Sequence, residues 1–382
     1  MANMVDYLQW RGDISFSVDP FNEVDNLILS ELVYTDFTGI VPPLGSKEAV
    51  SISKACNQFF TMHAEDELMD RVSSTKVAPF LMQDLIQSKR FSGMRLTGYV
   101  DEIDHEFQSQ FAAVTYLLED GTAFVAYRGT DNTIVGWKED FNMSFLYQTH
   151  GQMRAAEYLT TQGGMMRRKL RVGGHSKGGN FAVYASAFCD KRIKNRILEV
   201  YSNDGPGFCS TIMSSEDYQE ILPKVKSTIP ESSIVGLLLE NELEHKVVKS
   251  SLLGAMQHDL MSWEVLGNHY VLADGISESS MKLDKTLKSW VYSLEPSERE
   301  VFVNTLFYAL SATGATTLDE LKTGKLEVFN EVTKTLTGLT PEKQKAFKDV
   351  FSHLGRAIRK TNSKNEKKRE IKRIDEQETE KR

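Results

Sequence analysis

The chain has 382 residues, 41% of them hydrophobic, and its 53 Asp and Glu against 45 Lys and Arg leave a net charge of −8. At about 100–200 residues per domain this is one large domain with an appendage, or two domains, and the near-average composition excludes a peptide, a disulfide miniature and a disordered chain. The acidic balance argues against nucleic acid as a partner of the body of the chain.

Residues 1 to about 90 read as a helical lead-in. Asp25 to Val33 opens on a capping residue, and Val50 to His63 and Ala78 to Gln87 carry apolar side chains at three- and four-residue intervals. From Leu96 the signal changes to strands, predicted over Leu96–Val100, Phe111–Leu118 and Thr122–Tyr127, and the Asp120-Gly121 pair between the last two signals a hairpin. Then follow a helix over 151–161, a short strand over 170–172, a glycine-rich stretch, a helix over 180–189, and strands over 197–202 and 233–239. Strands alternating with helices at this spacing predict a mostly parallel sheet covered on both faces, with the antiparallel hairpin at one edge.

Beyond about 276 helices dominate. Leu283, Leu287, Trp290, Val291 and Leu294 make one apolar face, and Phe302, Val303, Leu306, Phe307 and Leu310 a second. Thr317 to Glu320 reads as a capping box, and Thr340-Pro341 and Gly355 mark the two ends of a further helix. Residues 359–382 hold ten Lys or Arg and six Asp or Glu with almost no apolar side chain, so they bury too little surface to repay ordering. The expected organisation is therefore a helical lead-in over 1–90, an α/β core over 91–275, a helical extension over 276–358 and a charged, disordered tail over 359–382. The net +4 of the tail confines any weak contact with an acidic membrane surface or RNA to that end, and a solvated terminus is the plainer reading.

Chemistry concentrates in Lys169 to Ala182. Here Gly174-His175-Ser176-Lys177-Gly178 stands between a strand and a helix, the context that a nucleophile elbow requires. A serine on such a strained turn projects its hydroxyl from the sheet, while side chains at positions 174 and 178 would collide with neighbouring backbone. The P-loop pattern is absent and Lys177 follows the serine, which argues against a nucleotide. The helix N-terminus points the Lys177 amide to where an oxyanion would form. Upstream, Tyr127-Arg128-Gly129-Thr130-Asp131 ends the hairpin strand and offers a second donor.

An aromatic-Arg-Gly-Thr motif followed by Gly-His-Ser-x-Gly-Gly resembles the class 3 lipase branch of the α/β-hydrolases, and Gly136 to Asp140 is similar to the Trp-containing segment found there. Ser202-Asn203-Asp204-Gly205-Pro206-Gly207-Phe208, with Gln257-His258-Asp259 and Ser262-Trp263, resembles the Mbeg1-like family of bacterial proteins, over residues 5 to 275. The resemblance implies an α/β-hydrolase fold and Thr130 as an oxyanion-hole residue, though a turn threonine is the plain alternative. A serine hydrolase also needs an acid and a histidine, in that order after the serine. Of His245, His258, His269 and His353, the family pattern favours His258, with His269 in reserve; His175 lies inside the elbow and reads as a packing residue. Glu240, at the end of the predicted strand 233–239, is the expected acid, with Asp204 and Glu242 as competitors.

The sequence thus predicts an esterase or lipase-like enzyme acting on a small ester or lipid of short to medium chain, with an acyltransferase or a catalytically silent interaction module as rivals. No metal-ligand spacing occurs, so no metal or other cofactor is expected. Cys56, Cys189 and Cys209, odd in number and widely spaced, suit a reducing compartment. Asp6 interrupts any signal-peptide pattern, and the apolar run Val235 to Leu239 falls far short of the ~20 residues that span a bilayer. A cytoplasmic protein is expected.

Overall fold

The structure, a computed structural model, describes residues 1–70, 75–131, 133–240, 243–314 and 325–339, with 341, 344–345, 348–350, 352–353 and 356. Glu242, the capping box at 317–320 and the charged tail lie outside the described residues, as do Thr340 and Gly355. The frame is an eight-stranded sheet whose strands lie side by side in chain order. Strands β1 (Val50–Ser51), β2 (Arg95–Asp104), β3 (Ser109–Leu117) and β4 (Ala123–Tyr127) are antiparallel neighbours. Strands β5 (Leu170–His175), β6 (Ile197–Asn203), β7 (Val225–Pro230) and β8 (His245–Val248) run parallel to β4. The Asp120-Gly121 turn joins β3 to β4, with Leu118 N–H donating to Thr122 O at 3.0 Å.

Topology explains how the two faces are covered. Right-handed crossovers that step one strand at a time in the same direction put their helices on the same face. Accordingly α7 (His150–Met165), α8 (Lys177–Phe188) and α11 (Glu216–Ile221), with the short α9 (Lys191–Lys194) and α10 (Ser210–Met213), belong to one side. The opposite face would be bare without the N-terminal segment. There α1 (Met4–Arg11), α2 (Glu23–Leu32), α3 (Ile52–Met62), α4 (Glu65–Met69) and α5 (Leu81–Gln87) form the second layer, in one core with Leu96, Tyr116, Phe124, Ala126 and Tyr201. Val125, Tyr127, Val172 and Val200 point the other way, into the core shared with α7 and α8, as the two-residue period of a strand requires. Arg90 clips this layer together. Its fully buried guanidinium meets both oxygens of buried Asp25, at 2.7 and 2.5 Å, and donates to the carbonyls of Ile14, Asp19 and Pro20.

The run 233–239, expected as a strand, is instead a loop with a 3₁₀ turn at Val235–Leu237. The sheet strand lies just before it, at β7. Ser233 and Gly236 spend their donors on Asp204, and the apolar side chains between 234 and 239 face a cavity, so the segment joins no sheet and ends in an isolated bridge of Glu240 with Phe208. Downstream, α13 (Pro296–Ser311) packs on α6 (Ile134–Asn142) through Phe302, Val303, Phe307 and Ile134, and α12 (Glu278–Val291) joins this cluster through Trp290. Another helix, α14 (Lys325–Thr337), follows, and the described residues between 341 and 356 are helical as well. Among the described residues no helix is long and apolar enough to cross a membrane.

Candidate active site

Ser176 sits between β5 and α8 with φ at 58° and ψ at −130°, a backbone conformation that a residue other than glycine adopts only where its surroundings enforce it. Those surroundings are close. Its amide donates to Asn203 O at 2.9 Å. A Cβ on Gly174 would stand 2.5 Å from Tyr127 O, and one on Gly178 would stand 2.8 Å from the carbonyl carbon of Tyr127. The elbow therefore presses against the end of β4 so tightly that both flanking positions admit only glycine.

The histidine and acid come from two loops beyond the sheet. His258 ends the 3₁₀ turn Gly254–His258, and its Nδ1 lies 2.6 Å from Asp204 Oδ2. Asp204 follows β6 directly, is fully buried and has φ at 48°. Its other oxygen accepts from Ser233 Oγ at 2.5 Å and from Gly236 N–H at 3.1 Å. Gln257 ties the His258 segment to the loop after β7 that supplies the Asp204 donors, accepting from Ser232 N–H at 2.6 Å and donating to Leu252 O at 3.0 Å. The carboxylate that meets His258 is thus Asp204, the competitor in the sequence reading, and not Glu240. Glu240 is turned to the C-terminal helices, where Tyr292 Oη donates to its Oε1 at 2.7 Å. The other histidines lie elsewhere: His245 Nδ1 pairs with Ser227 Oγ at 2.8 Å, His269 is exposed, and His353 does not line the cavity.

His175 packs its ring 4.4 Å from that of His258, and its Nδ1 meets Tyr34 Oη at 2.9 Å. Burial, reinforced by His258 alongside, pushes its pKa well below the usual histidine range, so it stands as a neutral ring under His258. Tyr34 also closes on the loop after β4, where a Cβ on Gly129 would stand 2.6 Å from His175 O. Thr130, next in that loop, donates its Oγ1 to Asp140 Oδ2 at 2.6 Å. Asp140 is pushed up to about 6, chiefly by burial and against the pull of Lys177 and Thr130. The Lys177 side chain turns away from Ser176 to pair with Glu139 Oε2 at 3.0 Å, with both groups buried. Sequence reasoning gave Glu139, Asp140 and Tyr34 no role. The only signal was an acidic pair inside the Trp-containing segment.

Ser176, His258, Asp204, Thr130 and Lys177 all border one cavity of about 1270 Å³. Its remaining walls are largely apolar: Phe141 and Met143 near α6, Ile234 to Leu239 after β7, and Leu287, Trp290, Val291 and Phe302 from α12 and α13. Four cations on the wall are already engaged: Lys76 by Met69 O at 2.8 Å, Lys177 by Glu139, Lys288 by Asp284 at 2.8 Å, and Arg299 by the carbonyls of Leu294 and Ser144. Among the described residues no cluster of three His, Cys, Asp or Glu side chains is placed to hold a metal ion.

A family model described as Mbeg1-like matches residues 85–308. The chain belongs to the Mbeg1-like family. The match takes in the elbow, the loop bearing Asp204, His258 and most of α12 and α13, so the cavity of this Mbeg1-like chain is formed largely within the family region. Its mostly parallel sheet with an antiparallel edge, and the serine on a strand-to-helix turn, are those of an α/β-hydrolase fold. Among solved structures it is similar to one titled crystal structure of M37 lipase, at 12% identity, 46% of this chain and 70% of that chain covered, and a TM-score of 0.31. No curated protein sequence matches it.

Proposed function

We propose that the protein is a serine hydrolase that cleaves carboxylic esters of lipid type through an acyl-enzyme. The observation that carries this reading is the 2.6 Å contact of His258 Nδ1 with Asp204 Oδ2, on the cavity into which the Ser176 elbow opens. An ionised carboxylate only accepts, so it keeps the His258 proton on Nδ1 and leaves Nε2 as the base. Ser176 Oγ gives its proton to Nε2 as it attacks the ester carbonyl, and the amides of Lys177 and Thr130 receive the oxyanion. His258 then returns the proton to the departing alcohol. Water, activated by the same nitrogen, releases the acid and restores Ser176.

The apolar walls suit an acyl chain. The volume exceeds the ~300–1,000 Å³ of ordinary small-molecule sites, which favours long chains over the short to medium chains read from the sequence. We assign α12 and α13, which line one wall, to the substrate site. The test is hydrolysis of p-nitrophenyl esters from acetate to palmitate by wild type and Ser176→Ala. We expect turnover to fall about 10³-fold or more in the variant; a Ser176→Ala protein that hydrolyses at the wild-type rate overturns the proposal.

A further inference from the structure

We propose that Glu139 and Lys177 are a positioning pair: their buried ion pair sets the spacing between the two elements that bear the oxyanion donors. The inference rests on the serine-hydrolase reading and adds to it a role for two side chains that do not touch substrate.

Lys177 is the first residue of α8, where a cation opposes the helix dipole and is unfavourable. Its ammonium is nonetheless fully buried, and each of its three protons has a partner: Gln110 O at 3.1 Å, Gln110 Oε1 at 2.9 Å and Glu139 Oε2 at 3.0 Å. So saturated a group has no lone pair or free proton to offer Ser176, which excludes it as a general base.

Glu139 is equally complete. Its Oε1 accepts from Ser109 Oγ at 3.1 Å and Gly151 N–H at 2.9 Å, and its Oε2 accepts from Gln110 N–H at 3.0 Å and from Lys177. One carboxylate thereby joins β3, α6, the start of α7 and the start of α8. The next residue on α6, Asp140, accepts from Thr130 Oγ1. Neighbouring carboxylates on one helix thus hold the residues bearing both proposed oxyanion donors, Lys177 through Glu139 and Thr130 through Asp140.

A buried ion pair adds little net stability over apolar side chains of similar volume, because desolvation offsets the attraction. Its effect here is geometric. Glu139 and Lys177 fix where the first amide of α8 points relative to the loop after β4, and such alignment acts on the transition state and not on the bound substrate.

The test compares wild type, Lys177→Met and Glu139→Gln by turnover per Ser176 site labelled with a fluorophosphonate, by KM, and by the Ki of a long-chain trifluoromethyl ketone, which forms a tetrahedral adduct. Counting labelled sites removes any loss of folded protein from the comparison. If Lys177→Met does not fold, Glu139→Gln still decides, because its Oε1 keeps Ser109 and Gly151 as partners. We expect turnover per site to fall about 10–100-fold and Ki to rise by the same factor, with KM within about twofold. Unchanged turnover per labelled site, with only the labelled fraction or the melting temperature reduced, makes the pair purely structural and overturns this inference alone. A wild type that takes no label at Ser176 removes the parent reading and this inference together.

Discussion

Replacing Asp204 by Asn, beside Glu240→Gln as its control, separates the two acids most sharply. Asp204 accepts on one oxygen from Ser233 Oγ and Gly236 N–H, and its other oxygen faces His258 Nδ1. In Asp204→Asn the amide oxygen can keep the Ser233 and Gly236 bonds, which leaves the amide nitrogen against Nδ1. Two donors cannot face each other, so His258 must carry its proton on Nε2, the nitrogen that should receive the Ser176 proton. The fold is retained at a cost of about 1–3 kcal/mol for imperfect hydrogen bonding of a buried group. Turnover should fall about 10⁴-fold, as expected for a wrong-tautomer defect, with KM little changed. Glu240→Gln keeps an oxygen for Tyr292 Oη and, because Glu240 lines the cavity without meeting His258, should alter turnover by no more than about twofold. The assay is steady-state hydrolysis of a p-nitrophenyl ester, normalised to folded protein measured by circular dichroism. Loss of turnover in Glu240→Gln with Asp204→Asn near wild type would refute the reasoning.

Three further outcomes are expected. The raised pKa of Asp140, about 6, means that between roughly pH 4 and 6 the folded state holds a proton that the unfolded state releases, so stability falls as pH rises through that window. Asp140→Asn does not titrate. Its stability relative to wild type in urea unfolding should therefore improve by up to about 3 kcal/mol from pH 4 to pH 7, and a gap independent of pH contradicts the assignment. Gly178→Ala forces a methyl group into the backbone of Tyr127 and should abolish folding or Ser176 labelling, whereas Gly164→Ala, with nothing within 4 Å, should gain about 0.5–1 kcal/mol in thermal unfolding. Leu287→Trp narrows the cavity from α12 and should lower kcat/KM for palmitoyl over acetyl esters by about tenfold; an unchanged ratio places the acyl chain elsewhere.

The elbow was legible because it is local: a strained turn demands two glycines at fixed spacing, and Gly174 and Gly178 meet the end of β4. Its acid was not, because that choice depends on which segment is a strand. The apolar run 234–239 reads as a strand but faces the cavity, and this moved the expected acid from the end of β6 to Glu240. Ser233 and Gly236, read as part of that strand, are the donors that hold Asp204. The N-terminal helices read as a lead-in because their apolar faces do not say what they cover. The sequential strand order then leaves one sheet face for them. The cavity wall from α12 and α13 escaped notice for a similar reason, since the apolar face of an amphipathic helix looks the same whether it meets a core or a substrate.

Peptide mapping by mass spectrometry of the protein treated with a fluorophosphonate tests the central claim most directly. One phosphonyl adduct is expected, on Ser176, formed at least about 10³-fold more slowly in Asp204→Asn than in wild type. An adduct on any other residue, or none on Ser176 in folded wild-type protein, contradicts it.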